Sequence, residues 1–267
     1  MNSSDERKRT ASIFFDGFGL RPGRTDLSAL ETFIQEFSSI PWENLTKFLA
    51  KVRGEGRIRT PEMVLGQFFG KGTGGTCFSL TDALALVLTE AGFRCRPLMA
   101  DMNHGRNIHC ALLVEDPEGN SYLADPGYLV PRPIPLRPGR SSELELAGGK
   151  LVWKPEEGGA FSLYTERSGS STWRYRIRTD PVSREEFLNH WRSSFHQTGM
   201  NSLHINLRED RERLSAHNCN LRREGPGGNS NEKLREDYPG RVQSYFGIHR
   251  EIAAAAYTEW RKLCQDR

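Results

Sequence analysis

Five cysteines, Cys77, Cys95, Cys110, Cys219 and Cys264, are spread through the chain. Their odd number and the lack of any Cys-x-x-Cys spacing argue against a disulfide framework and a structural zinc site, leaving free thiols. A thiol does chemistry as its thiolate, and Cys77 is the one positioned to ionise. It follows the turn Gly70-Lys-Gly-Thr-Gly-Gly75 and opens an apolar helical period, so unpaired N–H groups and the positive end of a helix lie beside its sulfur. Such surroundings lower a thiol pKa from about 8.5 to roughly 3.5–7.5. On that feature alone, a buried cysteine acting as a small apolar side chain is the commoner case. The partners decide between the two. His109 lies in the run Ile108 to Val114 and Asp125 ends the run Tyr122 to Asp125, with the turn Asp116-Pro-Glu-Gly-Asn120 between them. A turn centred on Pro117 makes His109 and Asp125 directly opposed, with Cβ atoms about 4.5–5.5 Å apart, whereas a half-residue slip would put them on opposite faces. An aspartate there fixes the histidine tautomer and stabilises the imidazolium, which in turn stabilises the Cys77 thiolate.

The elements that must hold these three residues are legible in outline. Leu27, Leu30, Phe33, Ile34 and Phe37 recur at helical spacing after Asp26 as N-cap, and Pro41 ends the pattern. Thr60-Pro-Glu predicts a second helix start, and the apolar positions from Cys77 to Ala91 predict a third helix closed by Gly92. Three helices are thus expected in the first ninety residues. Beyond Gly92, short runs near 94–100, 107–114, 121–125, 150–154, 160–165 and 172–179 predict an antiparallel sheet or barrel. Prolines 131, 133, 135 and 138 mark a stiff extended crossing. Helices are expected at 183–194 and 249–264, while 208–231 reads as polar and without apolar period, with a loop at Gly225-Pro-Gly-Gly228.

A chain of 267 residues fits one large domain or two to three joined subdomains. Net charge is +3, too near balance to suggest a nucleic-acid partner. No apolar run reaches the roughly 20 residues of a membrane span, and the N-terminus lacks the apolar core of a secretory signal, so no membrane partner and a cytoplasmic location are expected. Gly70-Lys-Gly-Thr73 lacks the Gly-Lys-Ser/Thr of a phosphate loop, and His104 near Asp101 lacks ligand spacing, so no metal is expected.

Thr-Gly-Gly-Thr-Cys-Phe (73 to 78), Asn-Ile-His-Cys-Ala-Leu-Leu-Val (107 to 114) and Ala-Asp-Pro-Gly-Tyr (124 to 128) resemble, in order and spacing, the Cys, His and Asp blocks of the arylamine N-acetyltransferases. Ile40-Pro-Trp-Glu-Asn-Leu45 is similar to that family's Pro-Phe-Glu-Asn-Leu signature. The resemblance covers about residues 13–137, with Ser244-Tyr-Phe-Gly-Ile248 as an echo further on. It implies an α+β fold of the cysteine-protease-like superfamily: an N-terminal helical bundle (1–92), a central antiparallel β-barrel (93–194) and a C-terminal α/β lid (195–267). It also implies Cys77, His109 and Asp125 as catalytic triad, Gly127 and Tyr128 at the substrate site, acetyl-CoA as acyl donor and a small-molecule amine as acceptor. Arg222, Arg223 and Lys233 are candidates for the coenzyme A phosphates, or simply a solvated charged loop. Three departures stand out. Thr73 replaces the family's Arg, Ser79 and Thr81 replace its Glu and Asn, and Pro126-Gly-Tyr-Leu129 replaces its Val-Gly-Phe-Gly. The rival expectations are an amide synthase releasing a carrier-bound acyl chain, a transglutaminase-like peptidase, and a binding protein with a relic triad.

Overall fold

A computed structural model describes residues 3–146, 149–167, 169–209 and 212–265. Among these, five helices rather than three occupy the N-terminal third: α1 (Ser3–Gly17), α2 (Leu27–Phe37), α3 (Leu45–Val52), α4 (Pro61–Lys71) and α5 (Cys77–Ala91). The three expected helices start where their caps predict. Asp26 accepts from Ala29 N, Thr60 accepts from Met63 N, and Gly92 closes α5 in the left-handed region. The two unexpected ones have weaker sequence marks. α1 is polar apart from Ala11, Ile13, Phe14 and Phe15, which pack against α2, α4 and α5. α3 has only eight residues, too few to be stable alone; Leu45 and Phe48, fully buried, contribute about 1.5–3 kcal/mol each and hold it by packing.

The short strand β1 (Trp42–Glu43) precedes α3. After α5 come β2 (Arg94–Met102), β3 (Gly105–Glu115), β4 (Ser121–Ala124), β5 (Ile134–Pro135), β6 (Ser142–Leu146), β7 (Gly149–Pro155), β8 (Phe161–Arg167) and β9 (Ser170–Ile177). They form one antiparallel sheet in the order β5-β4-β3-β2-β9-β8-β7-β6. Its two ends approach each other, with the Ser142 hydroxyl donating to Pro135 O at 2.6 Å, so the sheet is a nearly closed barrel. β3 reads as an unbroken apolar run because both its faces are covered. Ala111 and Leu113 point into the barrel with Leu98, Trp153 and Tyr175, while Leu112 and Val114 pack on Leu80, Leu84 and Val87 of α5.

Helix α6 (Arg184–Ser193), capped by Ser183, lays Phe187 and Trp191 on Phe78. The stretch 208–231, polar and without apolar period, falls largely in strands. β10 (His204–Glu209), β11 (Glu212–His217), β12 (Asn220–Gly225) and β13 (Gly228–Lys233) form a meander that joins β1 in a second antiparallel sheet, and Gly225-Pro-Gly-Gly228 is the turn between its last two strands. β10 and β11 carry two buried apolar residues each (Ile205 and Leu207, Leu214 and Ala216), β12 carries Leu221 alone, and β13 carries none. That suffices because one face alone is buried, under α3, α7 (Tyr238–Phe246) and α8 (Arg250–Gln265). The whole is a mixed α and β architecture, a near-closed barrel flanked by helices. No described helix is long and apolar enough to cross a membrane.

Candidate active site

The turn before Cys77 is clamped by backbone. Glu43 N donates to Gly75 O at 3.0 Å, and Trp42 bridges Gly75, so the Pro-Trp-Glu segment pins the cysteine turn. Fixed backbone requires glycine at 74, and at 75 a side chain would displace the Ser79 hydroxyl. A Cβ on Gly74 would come 1.8 Å from Pro41 O, and one on Gly75 would come 2.1 Å from the Ser79 hydroxyl. Cys77 then begins α5, 8% exposed, with its sulfur 3.8 Å from Ile108 O.

His109 and Asp125 meet, but not as directly opposed residues. Glu115 pairs with Ser121, so the turn is centred on Glu118, one residue beyond Pro117. The slip is a whole residue, so both side chains stay on one face as diagonal neighbours. Asp125 lies just past β4 and caps a 3₁₀ turn, Pro126–Tyr128, where its carboxylate accepts from Tyr128 N at 2.9 Å. Its other contacts are to His109 Nε2, at 2.9 and 3.1 Å. With Nε2 engaged, Nδ1 is the nitrogen left to face the thiol. Gly127 packs against both residues: a Cβ there would sit 2.5 Å from Cys77 Cβ and 3.0 Å from His109 Cε1. The Tyr175 ring lies 4.9 Å from the imidazole, and its hydroxyl accepts from Trp153 Nε1 at 3.1 Å.

These contacts set the charges. The Cys77 thiol is held well below its ordinary range, first by the neighbouring Cys110 thiol and then by His109, against the opposing effect of burial. Burial pushes His109 down, but Asp125 and the Cys77 thiolate outweigh it and raise the imidazole to about 10. Cys110, fully buried beside the same sulfur, is pushed up by burial and by Cys77. These directions favour a Cys77 thiolate beside a His109 imidazolium, with Cys110 as a neutral donor. The pair opens on a cavity of about 280 Å³ lined also by Gly127, Tyr128, Lys47 and Ser194.

A family profile described as N-acetyltransferase matches residues 26–252, a span that contains Cys77, His109 and Asp125. The chain belongs to this family. Solved structures agree at the level of fold. The arylamine N-acetyltransferase from Mycobacterium abscessus is 15% identical with a TM-score of 0.80, each chain covered over 94% of its length. The Salmonella typhimurium enzyme is 18% identical with a TM-score of 0.78, covering 97% of this chain and 99% of its own. The M. smegmatis arylamine N-acetyltransferase is 21% identical with a TM-score of 0.77, covering 92% and 96%. None of the curated proteins matches the sequence.

The departures from the family pattern have local replacements. Thr73 is fully buried, and a guanidinium reaches it from Arg59, which also donates to Gln67 at 2.9 Å and feels the Glu43 carboxylate. Ser79 donates to Thr76 O at 3.0 Å, and Thr81 donates to Cys110 O at 3.3 Å, tying α5 to β3 beside the thiols. Leu129 holds φ 55° and ψ 44°, a left-handed conformation that costs a bulky residue about 1–2 kcal/mol; its side chain is buried and its carbonyl accepts from Arg208 Nε at 3.1 Å.

Of the other sequence candidates, His104 lines the same cavity, and the rest lie elsewhere. Arg222 pairs with Glu224 on one face of β12, Arg223 pairs with Glu212 on the other, and Lys233 donates to Asn220. Asp101 is engaged by Arg178 and Asn107 N. Among the described residues no three His, Cys, Asp or Glu side chains form a metal-binding group. Sequence reasoning missed Arg59, Tyr175 and Lys47, each a single residue inside an unremarkable run.

Proposed function

We propose that this protein moves an acetyl or other acyl group from coenzyme A, through a thioester on Cys77, to an arylamine or related amine. The observation that carries this is the pairing of a low-pKa Cys77 thiol at a helix start with an imidazole whose far nitrogen is held by Asp125. The Cys77 thiolate attacks the thioester carbonyl and forms the new C–S bond, with N–H groups of the first turn of α5 as donors to the oxyanion. Coenzyme A leaves as its thiol, taking the proton of the His109 imidazolium. The amine then attacks the acyl-enzyme, His109 accepts its proton, and the Cys77 thiolate is expelled, which restores the starting pair. Gly127 leaves room beside the sulfur, and Tyr128 forms part of the acceptor wall. Neither a metal nor a resident cofactor has a step in this scheme, and acetyl-CoA is a co-substrate.

Family membership and the 92–97% coverage of this chain by arylamine N-acetyltransferase folds support this over an amide synthase, a peptidase or a relic. The test is acetyl-CoA consumption, followed by release of the free thiol, with a panel of anilines and hydrazines as acceptors. Amine-dependent release by the wild type and none by Cys77→Ala is expected. Equal release by both proteins would remove Cys77 from the chemistry.

A further inference from the structure

Lys47 projects from α3 into the cavity that holds Cys77. Only 7% exposed, it donates to the Ser194 hydroxyl at 2.6 Å and lies 4.6 Å above the Phe195 ring. An ammonium has three protons to give, and among the described residues no carboxylate reaches it. Buried charges are ordinarily paired, because an uncompensated one costs several kcal/mol. The other polar groups lining the cavity on this side are neutral: Asn44 is spent on the backbone of Ser202 and His204, and burial holds His204 near 4. The surrounding walls, Trp42, Phe78, Ile108 and Met200, are apolar.

We propose that Lys47 binds a carboxylate carried by the substrate in this cavity, so that the protein selects acidic molecules over neutral ones of the same shape. The inference rests on the acyl-transfer reading above and specifies its substrate class. Burial brings Lys47 down to about 8, with the Cys77 and Cys110 thiols opposing the fall and Lys51 adding to it, so the side chain is a cation at neutral pH. The Cys77 thiolate attracts Lys47 through space, but its hydrogen-bond partners are Cys110 and His109, and the ammonium itself donates to Ser194. The carboxylate comes either on the amine or on the distal end of the acyl chain.

Three readouts on wild type, Lys47→Met and Lys47→Arg separate these outcomes. The acceptor arm compares kcat/KM for para-aminobenzoate and para-aminobenzamide. The donor arm compares succinyl-CoA and butyryl-CoA by intact mass at Cys77. A third, independent of turnover, compares how well benzoate and benzamide protect Cys77 from iodoacetamide. A charge-assisted hydrogen bond predicts a preference of about tenfold or more for the acid, collapsing in Lys47→Met and partly kept in Lys47→Arg. The arm that shows the collapse names the source of the carboxylate. If no amine is acylated, the acyl-transfer reading falls and the protection ratio still decides the carboxylate site. An acid-to-neutral ratio equal in wild type and Lys47→Met would overturn the proposal, even with a shifted melting temperature, because then Lys47 only ties α3 to Ser194 and Phe195.

Discussion

One wall of the cavity, built from Cys77, His109 and Gly127, and another, built from α3 and the segment around Ser194, bury charge in different ways. On the first, every charge has a partner: thiolate with imidazolium, imidazolium with Asp125, Asp125 with a backbone N–H. On the second, one ammonium meets one hydroxyl. The first wall is complete without a ligand and should be rigid in function. The second is incomplete, and its last hydrogen bonds are open to whatever enters. The comparison separates reactivity, built from residues spread over α5, β3 and the turn after β4, from selection, contributed by a helix whose sequence carries no chemical motif.

The largest effect that could break this comparison concerns the thiols. Cys77 should be alkylated by iodoacetamide by more than about 10³-fold faster than Cys95 or Cys110 near pH 6. Burial drives Cys95 up to about 12 and Cys110 up as well, whereas Cys77 is lowered and so stays a thiolate as pH falls below the ordinary thiol range. Peptide mapping that found Cys95 or Cys110 modified first would remove the distinction between the walls. Asp125→Asn comes next. An amide leaves the geometry but lets the imidazole take the wrong tautomer, and the matching change in a serine protease costs about 10⁴ in kcat. Turnover should fall by a similar order with the fold retained by circular dichroism; unchanged turnover would show that Asp125 has no part in the chemistry.

Gly127→Ala should have a smaller effect of the same kind. The added methyl falls within 3 Å of Cys77 Cα and Cβ, and a displacement near 1 Å of a reacting group costs about 10² in rate. Acylation measured by stopped flow should slow by roughly that factor, while the pH at which Cys77 ionises moves little. Tyr128→Phe should have the smallest effect. Tyr128 stands between the main cavity and a cleft lined by Arg167, Arg208 and Arg213. Loss of its hydroxyl should change the preference between hydroxylated arylamines and aniline by about tenfold at most. A larger change would move selection from α3 to the turn after β4.

How much of this was legible depended on whether each residue's role is written in its neighbours. Cys77 was visible because glycines precede it and an apolar period follows. His109 and Asp125 were visible because a strong turn sits between them, although Glu118 rather than Pro117 centres it. α3 and the strands from Glu212 to Lys233 were not. An eight-residue helix and strands with two apolar residues or fewer draw their stability from the surfaces they cover, and those surfaces are distant in sequence. Lys47 was hidden for the same reason. A lysine in a short helix looks solvated until Ser194 and Phe195, far along the chain, close over it. Arg59 likewise cannot be paired with Thr73 before the turn at Gly72 is folded.

The central claim is that Cys77 carries the acyl group on the protein. Incubation with acetyl-CoA without amine, followed by intact-mass measurement and peptide mapping, tests it in one step. The expected result is a single added acetyl group on the peptide containing Cys77, discharged on adding an amine and absent from Cys77→Ala. An acetyl group on another residue, or none on Cys77 while acetyl-CoA is consumed in the presence of amine, would contradict it.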